Sequence, residues 1–201
     1  MNYFTSDTHF GHTNVIELCN RPFASVEEMD ETLIENWNRR VNKNDTVYLV
    51  GDVLWDKRKL AFYMERLSGK KILITGNHDR SFCKREECLK YFELVLPYLE
   101  VKIDGRQLTL CHYPMVEWRS SRETSGERLG YHIHGHIHNR IAEEYRYLFR
   151  EFNALNAGVD VNGYEPVSFE ELLTNNRRFK LAALDSEDDR GYYLEKERKY
   201  I

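Results

Sequence analysis

Short apolar runs alternate with helix-period patterns through the first half of the chain. Residues 2–6, 46–50 and 71–75 read as buried strands, the last carrying Ile72, Leu73 and Ile74 in succession. Between the first two, residues 25–41 predict a helix. Ser25 and Glu28 have capping-box spacing, and Val26, Met29, Leu33, Trp37 and Val41 fall on one helical face. Between the second and third, Leu60, Tyr63, Met64 and Leu67 repeat the spacing of another amphipathic helix. This strand–helix alternation predicts an α/β layered fold with parallel strands.

The second half changes character. Residues 98–103 and 107–112 flank Asp104-Gly105, a pair that favours a tight hairpin turn. A polar segment, 117–130, precedes residues 131–138, which alternate with period two. Ser168 and Glu171 then cap a last short helix carrying Phe169, Leu172 and Leu173. This half predicts mostly antiparallel strands, and two sheets packed face to face with helices outside accommodate both halves. Residues 1–184 predict one domain. Residues 185–201 are dense in charge and predict a solvated appendage, with Tyr192, Tyr193 and Leu194 available to dock onto the body.

Composition narrows the class. A chain of 201 residues suits a single domain, and 13 Tyr, 10 Phe and 3 Trp exclude a disordered one. No stretch approaches the ~20 consecutive apolar residues of a membrane-spanning helix, and the opening MNYFTSDTHF lacks a signal-peptide pattern. Cys19, Cys83, Cys88 and Cys111 form no CxxC pair and read as free thiols in a reducing cytoplasm. The net charge of -4 lacks the basic footprint of a general nucleic-acid binder. An anionic substrate would therefore need local positive charge or metal.

The histidines carry the strongest signal. Of the eight, His132, His134, His136 and His138 fall in one short segment, while His9, His12, His78 and His112 stand beside Asp or follow strands. The ordered groups are Asp7-Thr8-His9, Gly51-Asp52, Gly76-Asn77-His78-Asp79, His112 and Gly135-His136-Ile137-His138. The first three begin where a predicted strand ends, the edge at which open α/β sheets bind ligands. Asp7 and His9 can turn toward one ion, and His136 and His138 would share a face by strand alternation. Gly51, Gly76 and Gly135 let backbone pass close to a crowded site. Asp, Asn and His without cysteine suit Mn, Fe, Zn, Co or Ni rather than a thiolate zinc site. The seven candidate ligands, Asp7, His9, Asp52, Asn77, His112, His136 and His138, exceed what one tetrahedral ion takes. They fit two ions sharing a carboxylate, with Asp52 the natural bridge. Two ions about 3.5–4 Å apart lower the pKa of a bridging water and clamp the attacking and leaving oxygens of a phosphate. They also supply the positive charge that an acidic protein lacks.

From Asn2 to about Leu173 this ordered set resembles the calcineurin-like metallophosphoesterases. The resemblance implies a four-layer αββα fold, a two-sheet mixed β-sandwich flanked by helices. It implies one ion held by Asp7, His9, Asp52 and His138, and a second held by Asp52, Asn77, His112 and His136. It further implies that His78 contacts the substrate phosphate and assists the leaving group, with Asp79 orienting it. The segment from Ser6 to His12, Arg21-Pro22-Phe23 and Asn156-Ala157-Gly158-Val159-Asp160 look like small stand-alone bacterial and phage phosphoesterases. The family's serine/threonine phosphatases carry Gly-Asp-x-x-Asp-Arg-Gly and Gly-Asn-His-Glu. Here Gly51-Asp52-Val53-Leu54-Trp55-Asp56-Lys57 lacks that arginine and position 79 is Asp, a pattern closer to members that cleave phosphodiesters. The expected activity is a two-metal phosphodiesterase, manganese favoured, acting on a small nucleotide or oligonucleotide end with a metal-bridging hydroxide as nucleophile. The alternative is a phosphomonoesterase or pyrophosphohydrolase using the same site. A binding protein that had lost catalysis would show a degraded ligand set, and this one is complete.

Around that set, His12 either touches substrate or packs in its loop. Arg80 either receives a phosphate oxygen or pairs with a carboxylate. His132 and His134 suit structural or surface roles, His134 being the nearer of the two to substrate. Residues 117–130, with Trp118, Arg119, Arg122 and Arg128, form either a solvated loop or a lid able to stack on a nucleotide. Arg39 and Arg40 complement a helix C-terminus.

Overall fold

The computed structural model describes residues 1–79, 86–122 and 129–200, the side chains of 87, 88 and 200 excepted. In chain order its elements are β1 (Asn2–Thr5), α1 (Asn14–Leu18), α2 (Val26–Arg40), β2 (Thr46–Leu49), α3 (Leu60–Met64), β3 (Lys70–Ile74), α4 (Glu86–Leu89), β4 (Leu94–Leu96), β5 (Leu99–Ile103), β6 (Arg106–Leu110), β7 (Tyr131–His134), α5 (Arg146–Arg150), β8 (Ala154–Asn156), α6 (Phe169–Ala183) and α7 (Glu187–Tyr200). The first sheet runs β1-β2-β3-β4, all parallel. The second runs β5-β6-β7-β8.

The apolar runs of the first half are strands buried on both faces, and strand alternation sorts their side chains between two cores. Tyr3, Val47, Leu49 and Leu73 join Met29, Leu33, Ile34 and Trp37 of α2 and Leu60, Tyr63 and Met64 of α3 in one cluster. Their neighbours Phe4, Tyr48, Val50 and Ile74 face the other way, into a cluster with Leu108, Leu110, Tyr131, Ile133 and Leu155 of the second sheet. Leu148 and Phe149 of α5, Phe169 and Leu172 of α6 and Tyr193 of α7 complete it. The result is the two-sheet sandwich flanked by helices that the resemblance implied. Ser168 and Glu171 form a complete capping box, opening a helix several turns longer than the short one expected. At α2 the exchange is split: Ser25 Oγ accepts from Glu28 N, while Glu28 receives the Ala24 amide instead.

One expectation needs correction. In the second sheet β5 and β6 pair antiparallel, but β6-β7 and β7-β8 are parallel. The connections before β7 and β8 are long enough for crossovers, so nothing forces them into hairpins. Within the charged C-terminal segment, Glu187–Tyr200 form α7, which docks through buried Tyr193 while Asp189 pairs with Arg146 and Arg150 and Lys196 with Glu151. No helix among the described residues is long and apolar enough to cross a membrane.

Candidate metal centre

Parallel pairing brings the carboxyl ends of strands to one edge, and each motif lies just past such an end. After β1 and β2 the chain continues as two paired loops: the amides of Asp7, His9 and Phe10 donate to the carbonyls of Gly51, Asp52 and Val53 at 3.0, 3.1 and 3.0 Å. Ser6 and Thr8 hydroxyls fasten the same pair through Val50 O and Val53 O. The two sheets are tied there by Val159 N donating to Ser6 O at 3.0 Å. Asp7, His9, Asp52, His136 and His138 all hold φ between 50° and 71°. That left-handed backbone is uncommon for a residue with a side chain, and its clustering on five candidate ligands marks the edge as strained for a purpose.

β7 ends at His134, so His136 and His138 are not strand neighbours sharing a face as alternation predicted. They sit in the loop beyond, and its left-handed turns send them to different partners. His138 Nε2 lies 3.8 Å from Asp7 Oδ1, and its ring stacks on His9 at 5.1 Å. The His136 ring lies 5.2 Å from that of His112, and its Nδ1 lies 3.2 Å from Asn77 Oδ1. The donor atoms of Asp7, His9 and His138 lie within 4.8 Å of one another, as do those of Asp52, His112 and His136. Asn77 Oδ1 also reaches His112 Nε2 at 3.1 Å. Asp52 Oδ2 stands between the groups, 3.7 Å from His9 Nε2 and 3.3 Å from His112 Nε2. All seven predicted ligands converge. Two glycines permit it: a side-chain carbon on Gly76 would strike Asp52, and one on Gly135 would strike Ser6 and Asp7, whose carboxylate accepts the His136 amide.

These residues fit a metal. His9 is buried, yet among the described residues neither ring nitrogen has a hydrogen-bond partner. Leaving a buried polar atom unpaired costs about 1–3 kcal/mol, and a cation would use the lone pair. Burial and the charge of His138 push the His9 pKa well below its ordinary value, so the ring is neutral. The electrostatics of the protein alone show the same want of a cation. Burial would raise Asp52, but the hydrogen bond and charge of His112 bring it to about 2. Burial would lower His112 and His138, but hydrogen bonds to Asp52 and Asp160 raise them to about 9 and about 10. Protons thus favour His112 and His138, whereas burial lowers His136 as it does His9. With Nδ1 protonated toward Val50 O (2.8 Å) on His112 and Asp160 Oδ2 (2.8 Å) on His138, each Nε2 faces the cluster as a ligand.

Asp79 does not orient His78. It is buried, its carboxylate accepts the amides of Gly76 and Asp52 at 2.7 Å and Val53 at 3.0 Å, and burial lifts its pKa to about 6. Its work is to lock the loops after β2 and β3 together. His78 stands at the mouth, its amide donating to Asp52 Oδ1 at 2.9 Å and its side chain 36% exposed. His12 packs flat against Trp55 and lines the cleft. His134 is buried, with Nδ1 on Gly135 O and its ring against His132, so it offers no surface to a substrate. His132 bridges Thr109 O and the Met115 amide and is structural. Arg80 lies outside the described residues, as do Arg128 and Cys83. Trp118 is no stacking surface: it is buried against His132, with Nε1 donating to Gly130 O. Arg119 pairs with Glu100 and Arg122 with Glu117.

The residue pair that motif chemistry missed is Arg21–Asp160. Both side chains are fully buried behind the cluster, joined at 2.8 and 3.0 Å. Arg21 also donates to the carbonyls of Asp7 and Thr8, and Asp160 holds His138. Their only trace in sequence was the pair of segments shared with small phosphoesterases.

The ligand cluster opens into a cleft of about 300 Å³ lined by His9, Asp52, Asn77, His78, His136 and His138. A larger cavity, about 440 Å³, lies around Trp118, Tyr147 and Tyr192 and includes none of the seven ligands.

A sandwich with two histidine–carboxylate groups meeting at one aspartate, at the carboxyl edge of its strands, defines a class of metal-dependent hydrolases. The model of the calcineurin-like phosphoesterase superfamily domain matches residues 3–161. The chain belongs to that superfamily, whose members are metal-dependent phosphoester hydrolases, and its substrate is accordingly a phosphate ester. It is 36% identical over 174 residues to MJ1445 of Methanocaldococcus jannaschii, covering 85% of this chain and 88% of that protein, which is described as uncharacterized. It is 33% identical to the Gene 66 protein of Mycobacterium phage D29, covering 69% and 79%. Among solved structures it resembles AQ665 of Aquifex aeolicus, described as of unknown function, with a TM-score of 0.63 and 31% identity over 85% of this chain and 96% of that one.

Proposed function

We propose that this chain is a phosphodiesterase acting on a small nucleotide or an oligonucleotide end with two divalent ions, manganese favoured. The observation that carries the reading is the pair of donor groups meeting at Asp52. Asp7, His9, Asp52 and His138 would hold one ion, and Asp52, Asn77, His112 and His136 the other. When bound, the ions would supply positive charge for phosphate oxygens and an activated water.

The chain's own residues do the rest. Val50 and Asp160 fix the imidazoles of His112 and His138, Asn77 spans His112 and His136, and Asp79 keeps the loops in register. His78, partly exposed beside Asp52, is positioned to hold a proton for the departing oxygen. The missing arginine in Gly51–Lys57 supports the diester preference. The free thiols of Cys19 and Cys111 suit a reducing cytoplasm.

The test is hydrolysis of bis-p-nitrophenyl phosphate beside p-nitrophenyl phosphate by metal-stripped protein before and after Mn²⁺ is added. Metal-dependent preference for the diester is expected. Preference for the monoester would transfer the reading to a phosphomonoesterase or pyrophosphohydrolase. Two bound ions per chain with no turnover of either ester would overturn hydrolysis of simple phosphoesters altogether.

A further inference from the structure

Directly after Asp52 the chain places an aromatic surface at the cleft mouth that neither the ligands nor the fold requires. Leu54 bridges to Phe10, and Trp55 N donates to Phe10 O at 2.9 Å, so the Trp55 backbone is as fixed as the strand edge. Leu54 and Phe10 are buried beneath, whereas Trp55 is 52% exposed. One face of its indole is covered by His12, with ring centroids 3.9 Å apart and planes 6° from parallel. His78 leans against it at 5.1 Å. Burial of large apolar surface is the usual fate of a tryptophan, and Trp37 and Trp118 obey it. An anchored tryptophan with an open face, one ring away from the residue facing the leaving group, is the arrangement that receives a base by stacking. Lys57 and Lys59 follow on the same exposed turn, and neither makes an ion pair among the described residues, so the rim also favours an anionic strand.

We infer that the Trp55–His12 stack is a nucleobase platform, and that the substrate is a phosphoester carrying a nucleoside. The inference rests on the hydrolase reading for its chemistry, but binding tests it separately. Because Trp37 and Trp118 are buried, acrylamide-quenchable tryptophan emission reports chiefly Trp55. With the full-length, Mn²⁺-loaded protein, AMP and a short single-stranded oligo(dA) are expected to shield that emission from acrylamide. Ribose 5-phosphate and inorganic phosphate, lacking a base, are not. Stronger shielding by oligo(dA) than by AMP would assign the platform to a strand end, and the reverse to a mononucleotide. Equal shielding by AMP and ribose 5-phosphate overturns the platform.

In turnover, Trp55→Ala is expected to reduce the preference for a nucleoside p-nitrophenyl phosphodiester over methyl p-nitrophenyl phosphate about tenfold, mainly through KM. Trp55→Phe keeps most of it, since a smaller ring still stacks. A preference untouched by Trp55→Ala refutes the platform while leaving the hydrolase reading intact. Base-dependent shielding without turnover of any ester keeps the platform and removes the hydrolase.

Discussion

Replacing Asp160 by Asn tests whether the metal cluster depends on a pair of residues that touch no ion in the proposed assignment. Asp160 serves two partners: Arg21 through Nε and Nη2, and His138 through Nδ1 at 2.8 Å. Burial would raise its pKa, but the hydrogen bond from His138 and the charge of Arg21 hold it below the ordinary carboxylate range. Asn keeps the shape and removes the charge, stranding a fully buried guanidinium. Breaking a buried pair in this way costs about 3–5 kcal/mol. For a domain of this size each kcal/mol lowers Tm by roughly 2–4 °C, so a fall of about 6–20 °C is expected in a melt of metal-free protein. His138 loses the partner that fixes its tautomer, and metal affinity should fall about 10–100-fold. Differential scanning calorimetry measures the first effect and competition with a chromophoric chelator the second. Arg21→Met combined with Asp160→Asn should recover part of the stability, because no charge is then stranded, but not the metal affinity. An Asp160→Asn protein with wild-type Tm and wild-type metal affinity would refute the reasoning.

Three further outcomes follow from the geometry. His78→Ala is expected to keep its metal and lose about a hundredfold or more of kcat, the lower part of a general acid's usual contribution; metal analysis beside kinetics separates that from a ligand role. Gly135→Ala should cost about 2 kcal/mol or more in a denaturant titration and lower metal content, because its added carbon meets Ser6 and Asp7. Burial depresses His132 to about 4, below its ordinary value. A depressed group favours the fold above its unfolded pKa, so this contribution is complete above about pH 6.5 and is lost as pH falls toward 4. Thermal melts across that window should show a decline that His132→Gln flattens, and equal slopes in both proteins would remove His132 as the cause.

The candidate ligands were legible because each motif is short and sits where a predictable strand ends. Asp7 and His9, Gly51 and Asp52, and Asn77 and His78 need only local sequence to be recognised and placed at the sheet edge. The local rule failed at His136 and His138, where alternation assumed a strand that stops at His134. Asp79 was assigned to its sequence neighbour, whereas its carboxylate reaches across to the amides of Asp52 and Val53. Trp118 had the composition of a stacking residue, and only packing against His132 reveals it as core. The parallel pairing of β6, β7 and β8 was hidden for a related reason: pairing direction depends on how long connections cross the sheet, which strand periodicity does not encode.

By itself the sequence determined the donor chemistry, the alternation of buried strands and helices, and the carboxyl edge as the place where they meet. Those are properties of residue type and short-range spacing, which act before any distant contact forms. The tertiary structure decided the loop geometry that brings those donors together, which imidazole nitrogen faces the cluster, and that Arg21 and Asp160, far apart in the chain, stand together behind His138. These depend on left-handed backbone at the loops and on burial that strengthens a charge pair while making its loss costly. Both arise only when the two sheets close on one another.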